Sequence, residues 1–353
     1  MSSDLNKILI PPTMSIIESI KRMDIASKKI LIVIDDSRKL LGVITNGDIR
    51  RWILKNGDLK ETVTHIMNKS PIFVHPGEEK KALDLMREKF IEGIPVVNQE
   101  KKVLNVILWN EQINGNLNKF TDIKVPVVIM AGGKGTRLYP YTRILPKPLV
   151  PIGEIPIIER IINKFEESGL DEFYVTVNYK KNMIKSYFND LDKPYNIKFV
   201  EENKPLGTGG SLSLIRSELQ STFFLSNCDI LIEADYKSIF DYHIKNNHKI
   251  TMVTSLKNFK IPYGVVEIDN SGRVIGTLEK PEYNYLINTG MYIIEPELIN
   301  YIPHNEYFDI TELINLCIQK GIKVGTYPVS EESWLDMGQF DEMDRMIKKL
   351  GVD

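Results

Sequence analysis

"VPVVIMAGGKGTRLYPYTRILPKPL" (Val125–Leu149) contains the transition on which the fold turns. The apolar run Val127 to Met130 ends abruptly at Gly132, Gly133 and Gly135. A run without polar alternation predicts a strand buried on both faces, as in a parallel sheet. Loops that follow such strands gather at one sheet edge, where ligands bind. Glycines let backbone N–H groups approach an anion closely, and Lys134, Arg137, Arg143 and Lys147 add positive charge. A polyphosphate suits this collection better than a neutral ligand. Two common phosphate loops fail by letter. A Walker loop needs Gly-Lys followed by Ser or Thr, whereas Thr136 and Arg137 follow Gly135; a dinucleotide fingerprint needs glycine where Leu138 stands. On loop chemistry alone, a glycine-rich turn without a ligand remains open.

Downstream, apolar strands alternate with amphipathic helices. Ile157, Ile158, Ile161, Ile162 and Phe165 share one helical face, opened by Pro156 and closed by Gly169. Strand "EFYVTV", helix "KNMIKSYF", strand "IKFV", helix "GSLSLIRSEL", strand "TFFLSN", helix "YKSIFDYHIKN" and strand "KITMVTS" follow. The alternation predicts an α/β domain with a mixed, mostly parallel, Rossmann-like sheet covered on both faces. "GVVEIDNSGRVIGTLEK" reads instead as a hairpin turning at Asp269–Gly272.

Upstream, the chain repeats itself. Residues 8–49 overlay residues 71–112 without a gap: Ile20 and Met23 fall on Leu83 and Met86, and "LLGVIT" falls on "VLNVIL". Each copy reads as helix, strand, turn, strand. An asparagine-rich stretch closed by Pro126 breaks the pattern, so the expected domains are 1–64, 65–121 and 122–353.

Length and composition agree with this division. At about 150 residues per domain, 353 residues suggest roughly two independent cores. A net charge of −2 argues against a broad nucleic-acid surface. No apolar run approaches the ~18 residues of a membrane span, and "MSSDLNKILIPP" does not read as a secretory signal. A cytoplasmic protein is the expectation. Cys228 and Cys317 lie far apart and the five histidines are scattered, so neither a disulfide framework nor a zinc site is predicted.

The repeated third resembles a tandem pair of CBS domains, an α+β module. "GVITNGDIRR" (Gly42–Arg51) is similar to that family's signature, which makes Thr45 and Asp48 candidate contacts for an adenine or guanine nucleotide effector. The second copy departs from it, with Leu108 at the Thr45 position and Glu111 at the Asp48 position. At most one good nucleotide site is expected, and a structural or dimerising module stays open beside a sensor. CBS pairs commonly associate, which implies a homo-oligomer through this module.

From Val125 onward the chain resembles the sugar-1-phosphate nucleotidyltransferases, whose signature runs from a glycine-rich loop through Thr-Arg to Pro-Lys-Pro. The resemblance implies an NTP and a sugar 1-phosphate as substrates and Mg²⁺ as cofactor. Arg137 would grip the leaving pyrophosphate and Lys147 would stabilise charge at the α-phosphate. Ala131, Gly132, Gly133, Gly135, Thr136, Asn178, Gly207 and Gly209 would meet the nucleotide. Asp229 in "NCDIL" and Asp336 in "SWLDMG" would hold the metal, although a strand-ending Asp taken alone is more often a turn residue or helix cap. Tyr263, Gly264, Glu279, Lys280, Asn288 and Thr289 would take the sugar phosphate; taken alone, "EK" at a strand end is a common solvated pair. The wording of the loop is closest to the guanylyltransferase branch. Its pairing with CBS domains resembles enzymes of legionaminic acid type pathways that make a GDP-amino sugar from glucosamine 1-phosphate. GTP with glucosamine 1-phosphate is the favoured pair; mannose 1-phosphate with GTP, and glucose 1-phosphate with CTP, UTP or dTTP, compete.

Overall fold

A computed structural model describes residues 5–26, 28–89, 91, 93–108, 123–191 and 195–352. The chain divides into two compact units, Met1–Phe120 and Thr121–Asp353. The asparagine-rich linker and Glu111 lie outside the described residues.

In the first unit, helix α1 (Ile16–Ala26) precedes strands β1 (Ile30–Ile34) and β2 (Leu40–Thr45), followed by α2 (Asn46–Ile53). The second copy supplies α3 (Glu79–Lys89), β3 (Gly93–Val97) and β4 (Val103–Leu108). The internal repeat is visible down to single turns. Asp35 Oδ1 accepts from the backbones of Ser37 and Lys39, and Asn98 Oδ1 accepts from those of Glu100 and Lys102. Arg38 and Lys101, at matching places in the two turns, have left-handed φ values of 65° and 63°. The turns also bond each other reciprocally: Leu40 N donates to Lys101 O and Val103 N to Arg38 O. Val97, Val103, Val106 and Leu108 share one core with Ile30, Leu31, Ile32 and Ile44, so each copy closes the other's apolar face.

The second unit carries a seven-stranded sheet. Its strands are β5 (Val127–Met130), β6 (Glu172–Val177), β7 (Asn196–Glu201), β8 (Phe223–Asn227), β10 (Ile250–Lys260), β13 (Glu282–Ile294) and β14 (Val324–Val329). The spatial order is β7-β6-β5-β8-β13-β10-β14, with β13 antiparallel to both neighbours and all other pairs parallel. Period-two alternation explains why "VVIM" had to be wholly apolar. Val127 and Ile129 enter the core on one face, and Val128 and Met130 the core on the other. Helix α4 (Ile157–Glu166) buries the five predicted residues, with the Phe165 ring against Phe173, Phe224 and Tyr236. Helices α5 (Lys181–Asn189), α6 (Tyr236–Lys245), α7 (Ile310–Gln319) and α8 (Phe340–Leu350) complete the layers.

One predicted helix is corrected. "GSLSLIRSEL" forms only a 3₁₀ segment, Gly210–Ile215. A Cβ on Gly210 would stand 2.3 Å from Glu306 O, so the segment is shaped by close packing against Glu306–Ile310 more than by its own periodicity. The predicted hairpin is present as β11 (Val265–Ile268) and β12 (Val274–Leu278). A short ladder, β9 (Ile230–Ile232) with β15 (Trp334–Asp336), stands beside the main sheet.

Candidate active site

Strand order reverses at β5. The chain steps outward through β6 and β7, then returns to the other side of β5 as β8. The loops after β5 and β8 therefore flank the crevice where ligands bind in such sheets. The first is the glycine-rich loop and the second carries Asp229.

The loop has three kinds of glycine. Gly133 has open space around it, so its backbone is free to face a ligand. Gly135 has φ 64°, and a Cβ there would lie 2.9 Å from Lys147 Cβ; Thr142 Oγ1 also ties its carbonyl at 2.8 Å. Gly132 faces Glu202, whose carboxylate oxygens would be 2.8–2.9 Å from a Cβ. Ala131 is buried, its N–H bonded to Thr176 O. Thr136 and Arg137 open a 3₁₀ turn and are exposed at the crevice.

Lys147 is drawn inward. It is 7 % exposed, and its ammonium donates to Asp229 Oδ2. Asp336 joins this pair through the β9–β15 ladder: Ile230 pairs with Asp336, and Met337 N donates to Asp229 O at 2.8 Å. Two carboxylates far apart in sequence thus become neighbours. Burial, then the negative charge of Asp229, holds the Asp336 carboxyl above its usual range, with Lys147 and Arg137 opposing. A Cβ on Gly338 would lie 3.0 Å from Asp336 Oδ1 and 3.4 Å from an Arg137 guanidinium nitrogen. Arg137, Lys147, Asp229 and Asp336 therefore converge on one place.

The donor set fits a divalent cation. Asp336 Oδ1 is buried with no hydrogen-bond partner, which a cation would satisfy. No group of three metal-ligating side chains occurs among the described residues, but Mg²⁺ commonly takes one or two carboxylates together with substrate phosphates. Next to this pair, burial and then the charge of Asp229 push the Cys228 thiol up to about 12, away from the thiolate form a nucleophile uses.

Among the residues proposed to meet the nucleotide, Asn178 Nδ2 donates to Glu202 O at 2.9 Å. Glu202 is 5 % exposed and accepts from Leu206 N, and burial raises its carboxyl. Gly207 (φ 75°) and Gly209 are glycines because Phe308–Ile310 leaves no room: their Cβ atoms would sit 2.8 Å from Phe308 O and 3.0 Å from Ile310 N. Thr208 and Asp309 lock this contact, Asp309 Oδ1 accepting from both the N–H and the hydroxyl of Thr208. Sequence reading missed Glu202 and Asp309. A D-x-x-E capping box at Asp309–Glu312 was a legible signal for the second; for Glu202 only its place before "LGTGG" hinted at a role.

The sugar-side candidates fall into two groups. Asn288, Thr289 and Gly290 form an irregularity in β13 opposite Val253 and Thr254. Thr289 is buried with its hydroxyl on Val253 O, while Asn288 Oδ1 accepts from Gly290 N and its Nδ2 donates to Tyr292 OH. Gly290 (φ 89°) passes so close to Asn227, at the end of β8, that a Cβ would lie 2.4 Å from its Nδ2. This places the irregularity on the Asp229 side of the sheet. Tyr263, Gly264, Glu279 and Lys280 flank the β11–β12 hairpin and are exposed. Among the described residues Gly264 lies against Glu279 and Glu279 stands 3.8 Å from Lys280 Nζ, and none of the four is ion-paired with Asp229 or Asp336.

A profile of the nucleotidyl transferase family matches residues 126–351, and one of the CBS domain matches residues 1–55. The chain belongs to the nucleotidyl transferase family. It is 32% identical over 241 residues to the bifunctional protein GlmU of Methanococcus aeolicus, covering 64% of this chain and 55% of that one. It is 32% identical over 232 residues to the mannose-1-phosphate guanyltransferase of Saccharomyces cerevisiae, covering 60% and 61%. A UTP–glucose-1-phosphate uridylyltransferase of Synechocystis is 30% identical over 242 residues, covering 63% and 62%. The crystal structure of HddC from Yersinia pseudotuberculosis superposes with a TM-score of 0.51 at 26% identity, over 64% of this chain and 99% of that one. The chain thus spans less than two thirds of these curated relatives.

In the first unit Thr45 and Asp48 are brought together by the local fold. Thr45 caps α2 and Asp48 returns the bond: Asp48 Oδ2 accepts from Thr45 N at 2.8 Å and from its hydroxyl at 2.7 Å. Asp48 Oδ1 pairs with Arg51. This capping box is a structural role that any effector contact would share. Leu108, the second copy's counterpart of Thr45, is buried at the end of β4. No helix among the described residues is long and apolar enough to cross a membrane.

Proposed function

We propose that the second unit transfers a nucleotidyl group from an NTP to a sugar 1-phosphate, giving an NDP-sugar and pyrophosphate. The observation that carries this reading is the meeting of Arg137, Lys147, Asp229 and Asp336 at the switch point of the sheet. An oxygen of the sugar phosphate attacks the α-phosphorus in line, and the bond to the β-phosphate oxygen breaks with its electrons leaving on pyrophosphate. The phosphate nucleophile is already ionised near neutral pH, so no general base is needed. Arg137 grips the departing pyrophosphate, and Lys147 offsets charge gathering at the α-phosphate. Asp229 and Asp336 would hold Mg²⁺, which supplies charge neutralisation between the bound phosphates.

GTP and glucosamine 1-phosphate are the proposed substrates, supported by the guanylyltransferase wording of the loop and by guanyltransferases among the relatives. Uridylyltransferase relatives mark the competing choice. Asn178, Gly207 and Gly209 would meet the base and ribose, and Lys280, Glu279, Tyr263, Gly264, Asn288 and Thr289 the sugar phosphate. An adenine or guanine nucleotide at Thr45 and Asp48 would act as effector, and the CBS unit would associate between copies. The test is pyrophosphate release with Mg²⁺ over a grid of GTP, CTP, UTP, dTTP and ATP against glucosamine, N-acetylglucosamine, mannose and glucose 1-phosphates. Release confined to GTP with glucosamine 1-phosphate is expected. Release with a different pair revises the substrates, and none with any pair removes the enzymatic reading.

A further inference from the structure

Lys180 breaks three local rules at once. It stands between β6 and α5 in the position that caps the helix, yet its side chain makes no capping bond, since an ammonium has no acceptor to offer. Its positive charge lies at a helix N-terminus, where the backbone favours negative charge. Its backbone is left-handed, with φ 51° and ψ 34°, a region that glycine or asparagine fills more readily than lysine. A residue set against its local preferences is held by contacts from elsewhere in the fold, and such residues gather at functional sites.

The holding contacts are on one short segment. Lys180 Nζ donates to the carbonyls of Arg143 and Ile144 at 2.5 and 2.6 Å. The hydroxyl of the preceding Tyr179 donates to Thr142 O at 3.2 Å. These three successive carbonyls end a single helical turn, Tyr141–Ile144. The last carbonyls of a helix have no partner within it, and one turn alone is not self-sustaining. Tyr179 and Lys180 close it from outside.

The turn joins two parts of the candidate active site. On one side the buried Thr142 hydroxyl donates to Gly135 O in the glycine loop at 2.8 Å. On the other the chain runs extended through Leu145 and Pro146 directly into Lys147, whose ammonium meets Asp229. No slack separates the clamped Ile144 carbonyl from Lys147. The placement follows from the sheet: β6 lies parallel beside β5, so the loop after β6 runs alongside the glycine loop, and Tyr179 N reaches Gly132 O at 3.5 Å.

We infer that Lys180, assisted by Tyr179, is a positioning residue for nucleotidyl transfer, clamping the turn that sets where Lys147 stands against the α-phosphate. The inference rests on the reaction proposed above. Lys180 acts through Lys147 and not on the substrate, its ammonium being engaged by two carbonyls. A displacement of about 1 Å at a group that serves the reacting atoms can cost on the order of a hundredfold in rate.

The experiment compares full-length wild type with Lys180→Met in the pyrophosphate assay, folding being checked by circular dichroism. The variant is expected to lose about ten- to a hundredfold in kcat while KM for the sugar phosphate stays within about twofold, because the interaction lost is one made in the transition state. In a Lys147→Met background the same substitution is expected to change kcat by no more than about twofold, the group it positions having gone. An equal loss in both backgrounds would mean general disruption or direct contact with substrate and overturns the inference, as does an effect confined to KM or a kcat at wild-type level. Should Lys180→Met fail to fold, Tyr179→Phe carries the same comparison, with an expected loss of about threefold or more that vanishes beside Lys147→Met. Hydrogen exchange over residues 139–149 reads the clamp without turnover. Faster exchange in Lys180→Met is expected, and exchange equal to wild type overturns the clamp. A wild type without turnover removes the enzymatic reading, while the exchange difference still stands or falls by itself.

Discussion

Replacing Lys147 by Met tests the electrostatic centre of the site most directly. The Lys147 side chain is 8 % exposed and its partner Asp229 is 14 % exposed, so neither charge is well screened by water. Met nearly preserves the volume and deletes the cation. What remains is Asp229 beside Asp336, two carboxylates in a half-buried setting with only the exposed Arg137 nearby. Breaking a buried ion pair from one side costs about 3–5 kcal/mol. For a domain of this size, 1 kcal/mol corresponds to about 2–4 °C, so Tm is expected to fall by roughly 6–20 °C at neutral pH. The sign of the pH dependence follows from Asp336, whose carboxyl is already raised by burial and by Asp229. The folded state therefore binds protons more readily than the unfolded chain over the range between the ordinary and the raised value. Stability contributed by this group rises as pH falls through that range, and the repulsion is fully present above it. Removing Lys147 deletes a charge that opposes the upward shift of the Asp336 carboxyl, so the difference between variant and wild type is expected to shrink toward acid. Scanning calorimetry between pH 4 and 8, with and without Mg²⁺, provides the assay. A Tm equal to wild type at pH 7 would refute the reasoning, as would a deficit that neither acid nor Mg²⁺ reduces.

Asp336→Asn removes the raised carboxylate instead. Without Mg²⁺ its Tm at pH 7 is expected to equal or exceed that of wild type, while turnover falls roughly 100- to 1000-fold; a fall in Tm with full turnover would remove it from the metal pair. Arg137→Ala is expected to cut turnover similarly and to leave Tm unchanged within about 1 °C, because the side chain is exposed; calorimetry beside the pyrophosphate assay separates the two effects. Gly207→Ala forces a Cβ to 2.8 Å from Phe308 O at φ 75°, and is expected to cost about 1–3 kcal/mol and to raise KM for the nucleotide. Urea unfolding at wild-type stability would show that the loop yields. Thr45→Ala removes the cap of α2 and is expected to cost about 0.5–2 kcal/mol; if the side chain also contacts an effector, calorimetric titration with AMP or GMP will show weakened binding in the variant.

Much of this architecture was determined by the sequence alone, for a physical reason particular to each part. The "VVIM" run can only be a strand buried on both faces, because its alternate residues serve two separate cores. The 63-residue offset reappears in the turns at Asp35–Lys39 and Asn98–Lys102, because an Asx side chain and a left-handed residue define such a turn locally. Helix α4 followed from its 3.6-residue spacing, and the hairpin from its Asp269–Gly272 turn. Other features had no local signature. "GSLSLIRSEL" kept a helical pattern but was held to a 3₁₀ segment by Glu306–Ile310, a contact about a hundred residues away in the chain. The glycines of "LGTGG" read as room for a ligand, yet their missing Cβ atoms are required by that same segment. Only the tertiary structure brought Asp229 and Asp336 together, since a two-stranded ladder between distant segments sets their separation. Only the tertiary structure showed that Lys147 is withdrawn onto Asp229 and that Glu202 stands buried behind Gly132. Chain identity is a local property and survives in the sequence. Burial, and the charge balance that burial creates, depend on neighbours that only folding supplies.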